Sequence, residues 1–448
     1  MPLEQVPDTP LQYYLINFDA SGQERNEPDG TKMSQTLLEV LAQELISDVF
    51  IISHGWLGDI PAARRQYNKW IQAMAANTAD IEALKQVRPN FKPLLIGLHW
   101  PSLPWGNEDL ADNGASTADD AESNLSREGL IERYAKRIAD TPIAKKALGI
   151  IFDSGEDEDN PEKLPPEIIQ AYADLNGEAG LGSAGEAGAP GEDREPFDPA
   201  AIYTKTTTED KDYSPSHFSL NRLLSPLRSL SYWKMKERAR QIGETGGAQL
   251  LQSLQSATSE AVRFHLVGHS FGCIVMSASL AGAKGNGQLV RPVNSLSLIQ
   301  GAVSLWSYCA EIPVVSEKRP GYFHSILADR RVNGPILTTR SEYDTAVGRL
   351  YPLASGIARS DPNFADMNEQ PRYGAIGAYG ALGGGIEAES LKMLPCDQTY
   401  AFEVGKIYNL EASKYICKIP PDAGLGGAHS AIDEPEVAHA VWSASLVQ

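Results

Sequence analysis

The sequence predicts an α/β layered fold, with a mostly parallel central sheet flanked by helices and one long acidic insertion. Three observations predict it. Short apolar runs repeatedly end in turn or polar residues. Stretches with helical spacing fill the intervals between them. One such run gives way to a helix through a Gly-x-Ser-x-Gly pentad.

In chain order the expected strands are Tyr13–Phe18, Val49–Ser53, Leu94–His99, Arg263–Val267, Ser295–Ile299, Ile336–Thr339 and Ile407–Leu410. They read as nearly continuous apolar runs, as strands covered on both faces do. The clearest helical patterns are Pro61–Ala76, Tyr232–Ser256 and Phe271–Ala283. Between about Asn107 and Ser216 the pattern breaks. From Asp153 to Asp212 there are 17 acidic and 4 basic residues, so about −13 of the net charge sits there. Within it, Glu128–Ile138 and Ile143–Ile151 keep helical spacing, whereas Leu181–Gly191 is nearly all small residues. A stretch with so little to bury is expected to be loop, with Glu178–Pro196 poorly ordered or surface-bound. The expected division is a core of 1–106 and 216–448 and an insertion of 107–215. That insertion is either surface decoration or a lid over the site.

Of 448 residues, 42% are hydrophobic, enough for a large core. The net charge of −19 and pI of about 4.9 repel phosphate backbones, so no nucleic-acid partner is expected. Cys273, Cys309, Cys396 and Cys417 show no metal-ligand spacing and read as reduced thiols of a cytoplasmic protein. The first residues lack the basic and apolar regions of a signal peptide, and no apolar run is long enough to span a bilayer.

The chemistry concentrates in Gly268-His269-Ser270-Phe271-Gly272. A strand precedes it and a helical run follows, which is the setting of a nucleophile elbow. The turn must be tight, so glycines flank the serine. The serine hydroxyl then projects at the start of a helix, where N–H groups favour negative charge. An oxyanion needs two donors. The backbone N–H of Phe271 is one candidate. The other is the N–H of Trp56, in a strand ending Ser53-His54-Gly55-Trp56 that resembles the His-Gly loop of lipases and esterases. His54 is read as a buttress of that loop. Trp56, Trp100 and Trp105 follow strands and either line an acyl pocket or pack the sheet.

A triad in this order needs an acid and then a histidine after the serine. Asp344 lies in the loop beyond Ile336–Thr339, with Glu342 as its competitor. His324 comes too early. His429 lies in a glycine-rich loop beyond the last strand, whereas His439 falls within a helical run, Pro435–Ala444, and reads as packed.

With these residues in view, the chain resembles the α/β-hydrolase superfamily, in its lipase and esterase branch. It is more closely similar to a group of little-characterised bacterial serine α/β-hydrolases. The matching segments are Phe50–Asp59, Leu94–Trp100, Ser231–Gly246, Leu266–Cys273, Tyr343–Ala354, Tyr373–Gly380 and Gly427–Trp442. The resemblance implies the fold, the triad Ser270–Asp344–His429 and chemistry without a cofactor or metal. A small-molecule or lipid ester is the expected substrate class. An acyltransferase or amidase with the same triad, or a non-catalytic binding protein of this fold, would share the motifs.

Overall fold

The computed structural model describes residues 3–56, 59–102, 127–154, 163–209, 224–350, 371–419 and 427–447. Two compact units emerge, one from Met1–Ser102, Arg238–Pro352 and Ser360–Gln448, the other from Leu103–Glu237 and Leu353–Arg359.

The first unit carries a nine-stranded sheet: β1 (Leu3–Gln5), β2 (Gln12–Asn17), β3 (Asp48–Ser53), β4 (Pro93–His99), β5 (Arg263–His269), β6 (Ser295–Ile299), β7 (Ile336–Arg340), β8 (Ala388–Lys392) and β9 (Ile407–Glu411). Their order is β1-β2-β4-β3-β5-β6-β7-β9-β8, and only β1 runs antiparallel to its neighbour. The mostly parallel sheet and its flanking helices are those the sequence predicts. Every residue of β3 is buried, as expected for a strand covered on both faces. Chain connections step to one side of β3 on reaching β4 and to the other on reaching β5. Such a reversal opens a crevice at the carboxyl ends of the two strands. Registry aligns those ends, with Ser53 opposite Gly268, so the segments after β3 and β5 emerge side by side.

The expected Tyr232–Ser256 helix is divided. Helices Ser225–Ile242 and Ala248–Ser256 are joined by a π-helical turn, Gly243–Gly247. A Cβ on Gly243 would fall 2.4 Å from the Val275 carbonyl oxygen, and one on Gly247 would fall 2.2 Å from Ser279 Oγ. These glycines let the turn press against helix Gly272–Ala281, which follows the serine motif.

At the amino ends of the strands lies a buried Ser–His–Asp row. His265 Nδ1 meets Ser295 Oγ at 2.8 Å, and Nε2 meets Asp48 Oδ1 at 3.1 Å. All three side chains are buried, and Arg88 Nη2 completes an ion pair with Asp48 at 3.3 Å. Burial, opposed by Asp48, lowers the His265 pKa. The neutral ring then donates from Nε2 and accepts the serine proton at Nδ1. Sealed at the end of the sheet opposite the crevice, this row ties β3, β5 and β6 together.

His439 is likewise structural. Its Nδ1 meets both Asp80 oxygens, at 2.9 and 2.8 Å, and Nε2 meets the Gln398 carbonyl at 2.8 Å. Both partners only accept, so only the imidazolium satisfies them. Burial pulls the pKa down, but the Asp80 carboxylate outweighs it and the net shift is upward. A raised folded-state pKa stabilises the fold below the unfolded value of about 6.5 and ceases to do so as pH rises through the folded value. Urea unfolding should therefore show His439→Gln losing more stability against wild type at pH 6 than at pH 9. An equal loss at both would refute the charged pairing.

In the second unit, helices Arg127–Ile138, Pro142–Asp153, Pro166–Ala179 and Pro199–Glu209 are formed. Thr141 caps the second, its Oγ1 accepting the Ala144 N–H at 3.1 Å. The expectation for Glu178–Pro196 needs correction. Leu181, Glu186, Asp193 and Arg194 are buried. Arg194 donates to Asn176 Oδ1 at 2.8 Å and to the Gly182 carbonyl at 3.0 Å, and Asp193 pairs with buried Lys236. Small residues permit the tight turns here, and internal polar pairing takes the place of apolar burial.

Candidate active site

Ser270 follows β5 directly and has φ 55°, the left-handed region that a non-glycine residue occupies at a cost of about 1–3 kcal/mol. Its surroundings hold it there. Ser270 N–H donates to the Ile299 carbonyl at 3.1 Å, and its own carbonyl accepts from Cys273 and Ala302 at 3.1 and 3.2 Å. The glycines of the motif are steric necessities. A Cβ on Gly272 would stand 2.3 Å from the Ser53 carbonyl oxygen, and one on Gly268 would stand 2.6 Å from Cys273 N.

The segment after β3 closes on the same point. A Cβ on Gly55 would lie 2.5 Å from Ser270 Cβ and 3.1 Å from its Oγ. Gly55→Ala therefore pushes on the serine itself. We expect a stability loss of about 1–3 kcal/mol and, from a displacement of about 1 Å, a kcat/KM loss of about 10²-fold. Thermal melts and ester kinetics measure the two, and wild-type kinetics in the variant would exclude this approach. Trp56 comes next, its ring 6.1 Å from that of Phe271. Both expected oxyanion residues thus border the crevice between β3 and β5.

His54 buttresses the loop. Its Nδ1 faces the Gly55 carbonyl at 2.8 Å and must donate. Nε2 then accepts, with His99 Nδ1 at 3.0 Å and Trp100 N–H at 3.3 Å. Burial brings the His54 pKa down to about 4, so the ring stays neutral. Tyr67, from helix Ile60–Ala76, accepts the His54 backbone N–H at 2.9 Å. Trp100 is wholly buried and stacked on His54, so it packs the loop and does not line a pocket. Trp105 lies outside the described residues.

Asp344 is buried and His429 nearly so, and Nδ1 of the histidine meets Oδ2 at 2.7 Å. A carboxylate only accepts, so Nδ1 carries a proton, and the tautomer this fixes for the neutral ring leaves Nε2 bare. The two loops are joined through the backbone, Ala428 N–H donating to the Tyr343 carbonyl at 2.8 Å. Gly427, at φ 59°, passes so close to Tyr343 that a Cβ would sit 2.4 Å from its oxygen. The competitors fall away on geometry. Glu342 is exposed, with its backbone tied to Ser413, and His439 is committed to Asp80. His324 Nδ1 faces the Tyr308 carbonyl at 3.2 Å.

His429 reaches the elbow through His269, the residue before the serine. The two rings lie 4.8 Å apart, and His269 Nε2 donates to the His429 main-chain carbonyl at 2.9 Å. His269 Nδ1 accepts from Gln66 Nε2 at 2.9 Å, which fixes this tautomer. Burial, then the neighbouring His429, holds the His269 pKa well below the ordinary histidine value. No hydrogen bond joins His429 Nε2 to Ser270 Oγ among the described residues. Such bonds are often long before substrate binds. Sequence reasoning missed His269 and Gln66. Of these only His269 carried a signal, as a polar residue inside the elbow.

Among the described residues no three His, Cys, Asp or Glu side chains converge as metal ligands, the four cysteines form no disulfide, and no helix is long and apolar enough to cross a membrane. No family model, curated protein or solved structure matches this chain.

Proposed function

We propose that the chain is a serine hydrolase of the α/β-hydrolase fold that cleaves a carboxylic ester through an acyl-enzyme. One observation carries the reading: Asp344 holds His429 at 2.7 Å, and the His429 ring lies 4.8 Å from that of His269, the residue before a serine held at positive φ between a strand and a helix. The strained turn, the switch-point crevice and the loop pressed against Ser270 support it.

In this reading His429 Nε2 takes the Ser270 proton as Oγ attacks the carbonyl carbon. Asp344 holds the ring in the required tautomer and stabilises the imidazolium. The N–H groups of Phe271 and Trp56 receive the oxyanion, each worth about 3 kcal/mol of barrier. His429 returns the proton to the departing alcohol. Water, deprotonated by the same ring, then releases the acid.

The test is labelling with a fluorophosphonate, the adduct mapped by mass spectrometry, followed by esters of increasing chain length with and without an added alcohol. Labelling at Ser270 with ester turnover is expected. Folded protein that takes no label would sink the proposal. Acyl transfer to the alcohol in preference to water would redirect it to an acyltransferase.

A further inference from the structure

We propose that Gln300 is a positioning residue for Asp344, its side-chain amide fixing the carboxylate oxygen that holds the His429 ring. The inference rests on the hydrolase reading above.

Gln300 is the first residue after β6, is fully buried and has φ 45°. A long side chain in the left-handed region is held there by its partners. Its backbone N–H donates to Thr339 Oγ1, on β7, at 2.9 Å. That hydroxyl then directs its own proton to Gln300 Oε1, also at 2.9 Å. With Oε1 so assigned, Nε2 is the group facing Asp344, and it donates to Oδ2 at 2.7 Å. The backbone has little room to relax, because a Cβ on Gly377 would come 2.7 Å from the Gln300 carbonyl carbon.

Asp344 Oδ2 thus receives both Gln300 and His429, while Oδ1 takes the Val347 N–H at 3.2 Å. Donors on both oxygens stop the carboxylate from rotating. The plane in which Nδ1 is accepted, and hence the direction of Nε2, follows from Gln300. A glutamine buried only to fill space would need partners, but not the oxygen that the histidine uses.

Two substitutions separate positioning from packing. Gln300→Glu keeps the length, the volume and the acceptor for Thr339, but turns a second carboxylate toward Asp344. Gln300→Met keeps the volume and loses both contacts. If Gln300 positions Asp344, Met lowers kcat by about 10–10²-fold with KM within about threefold, and Glu at pH 8 falls below Met. If Gln300 merely packs, the order reverses. Gln300→Glu within about threefold of wild type overturns the proposal. Should the glutamate variant not fold, Thr339→Val removes the hydroxyl that orients the amide and accepts the Gln300 backbone N–H, and leaves Gln300 itself in place. It should lower kcat several-fold at constant KM, and an unchanged kcat would likewise overturn the proposal. The low-field NMR signal of the His429 Nδ1–H gives a readout independent of turnover. It should shift or vanish in Gln300→Met and stay in place in Glu342→Gln. A signal unmoved by Gln300→Met defeats this inference alone, whereas a wild type that takes no fluorophosphonate defeats the hydrolase reading instead.

Discussion

Ser270→Ala should abolish ester turnover, with a loss of about 10⁶-fold in kcat, and leave the protein folded. The size of the effect follows from the division of labour. In the proposed mechanism His429 and Asp344 act only through the Ser270 oxygen, so without it no acyl-enzyme forms. The fold should survive because the turn is defined by the backbone bonds to Ile299, Cys273 and Ala302, which alanine keeps. Alanine also keeps the strain of φ 55°. Glycine would release it, so Ser270→Gly should be more stable than Ser270→Ala by about 1 kcal/mol and equally inactive. Denaturant unfolding of the two variants measures that difference. Turnover retained in either would end the serine-hydrolase proposal. A glycine variant no more stable than alanine would show that the turn carries no strain.

How much of this was legible in the sequence depends on what each element buries. Strands β2 to β7 and β9 were visible because their buried residues form continuous apolar runs. Strand β8, Ala-Glu-Ser-Leu-Lys, lies at the sheet edge with exposed residues at its centre, so no apolar run announced it. The three residues of β1 are too few to carry a pattern. The split in the long helix was hidden for a different reason. The glycines at 243 and 247 answer to a neighbouring helix and Gly246 to the Gly22 carbonyl, and local spacing does not report such contacts. Packing of Glu178–Pro196 is hidden from the sequence because the stretch has few apolar residues, whereas Asp193, Arg194 and Lys236 bury by pairing. At the site, the serine turn is a local motif and could be read directly. Gln300 meets Asp344 across 44 positions of sequence, and Gln66 meets His269 across 203. Those contacts arise from strand order and registry, which no window of sequence contains.

The assignment of the base makes the last large effect. His429→Ala should lower kcat on the order of 10⁴-fold or more with little change in stability, and Asp344→Asn on the order of 10⁴-fold. The mechanisms differ. Alanine at 429 removes the ring that Asp344 holds and that, in the proposed mechanism, takes the Ser270 proton. Asparagine at 344 keeps the shape but presents an amide, which favours the tautomer whose proton sits on Nε2 and cannot accept one from Ser270. His439→Ala is the contrasting case. Its ring is held by Asp80 and Gln398, with no contact to the elbow. It should cost stability below neutral pH and leave kcat within a few-fold of wild type. Glu342→Gln, at an exposed side chain, should change neither. Kinetics and thermal melts on the four variants therefore separate into three classes: catalytic loss without destabilisation at 344 and 429, the reverse at 439, and no change in either at 342. A kcat loss at His439→Ala comparable to that at His429→Ala would break the assignment. It would also break the inference drawn from the 2.7 Å contact between Asp344 and His429, on which the choice of base rests.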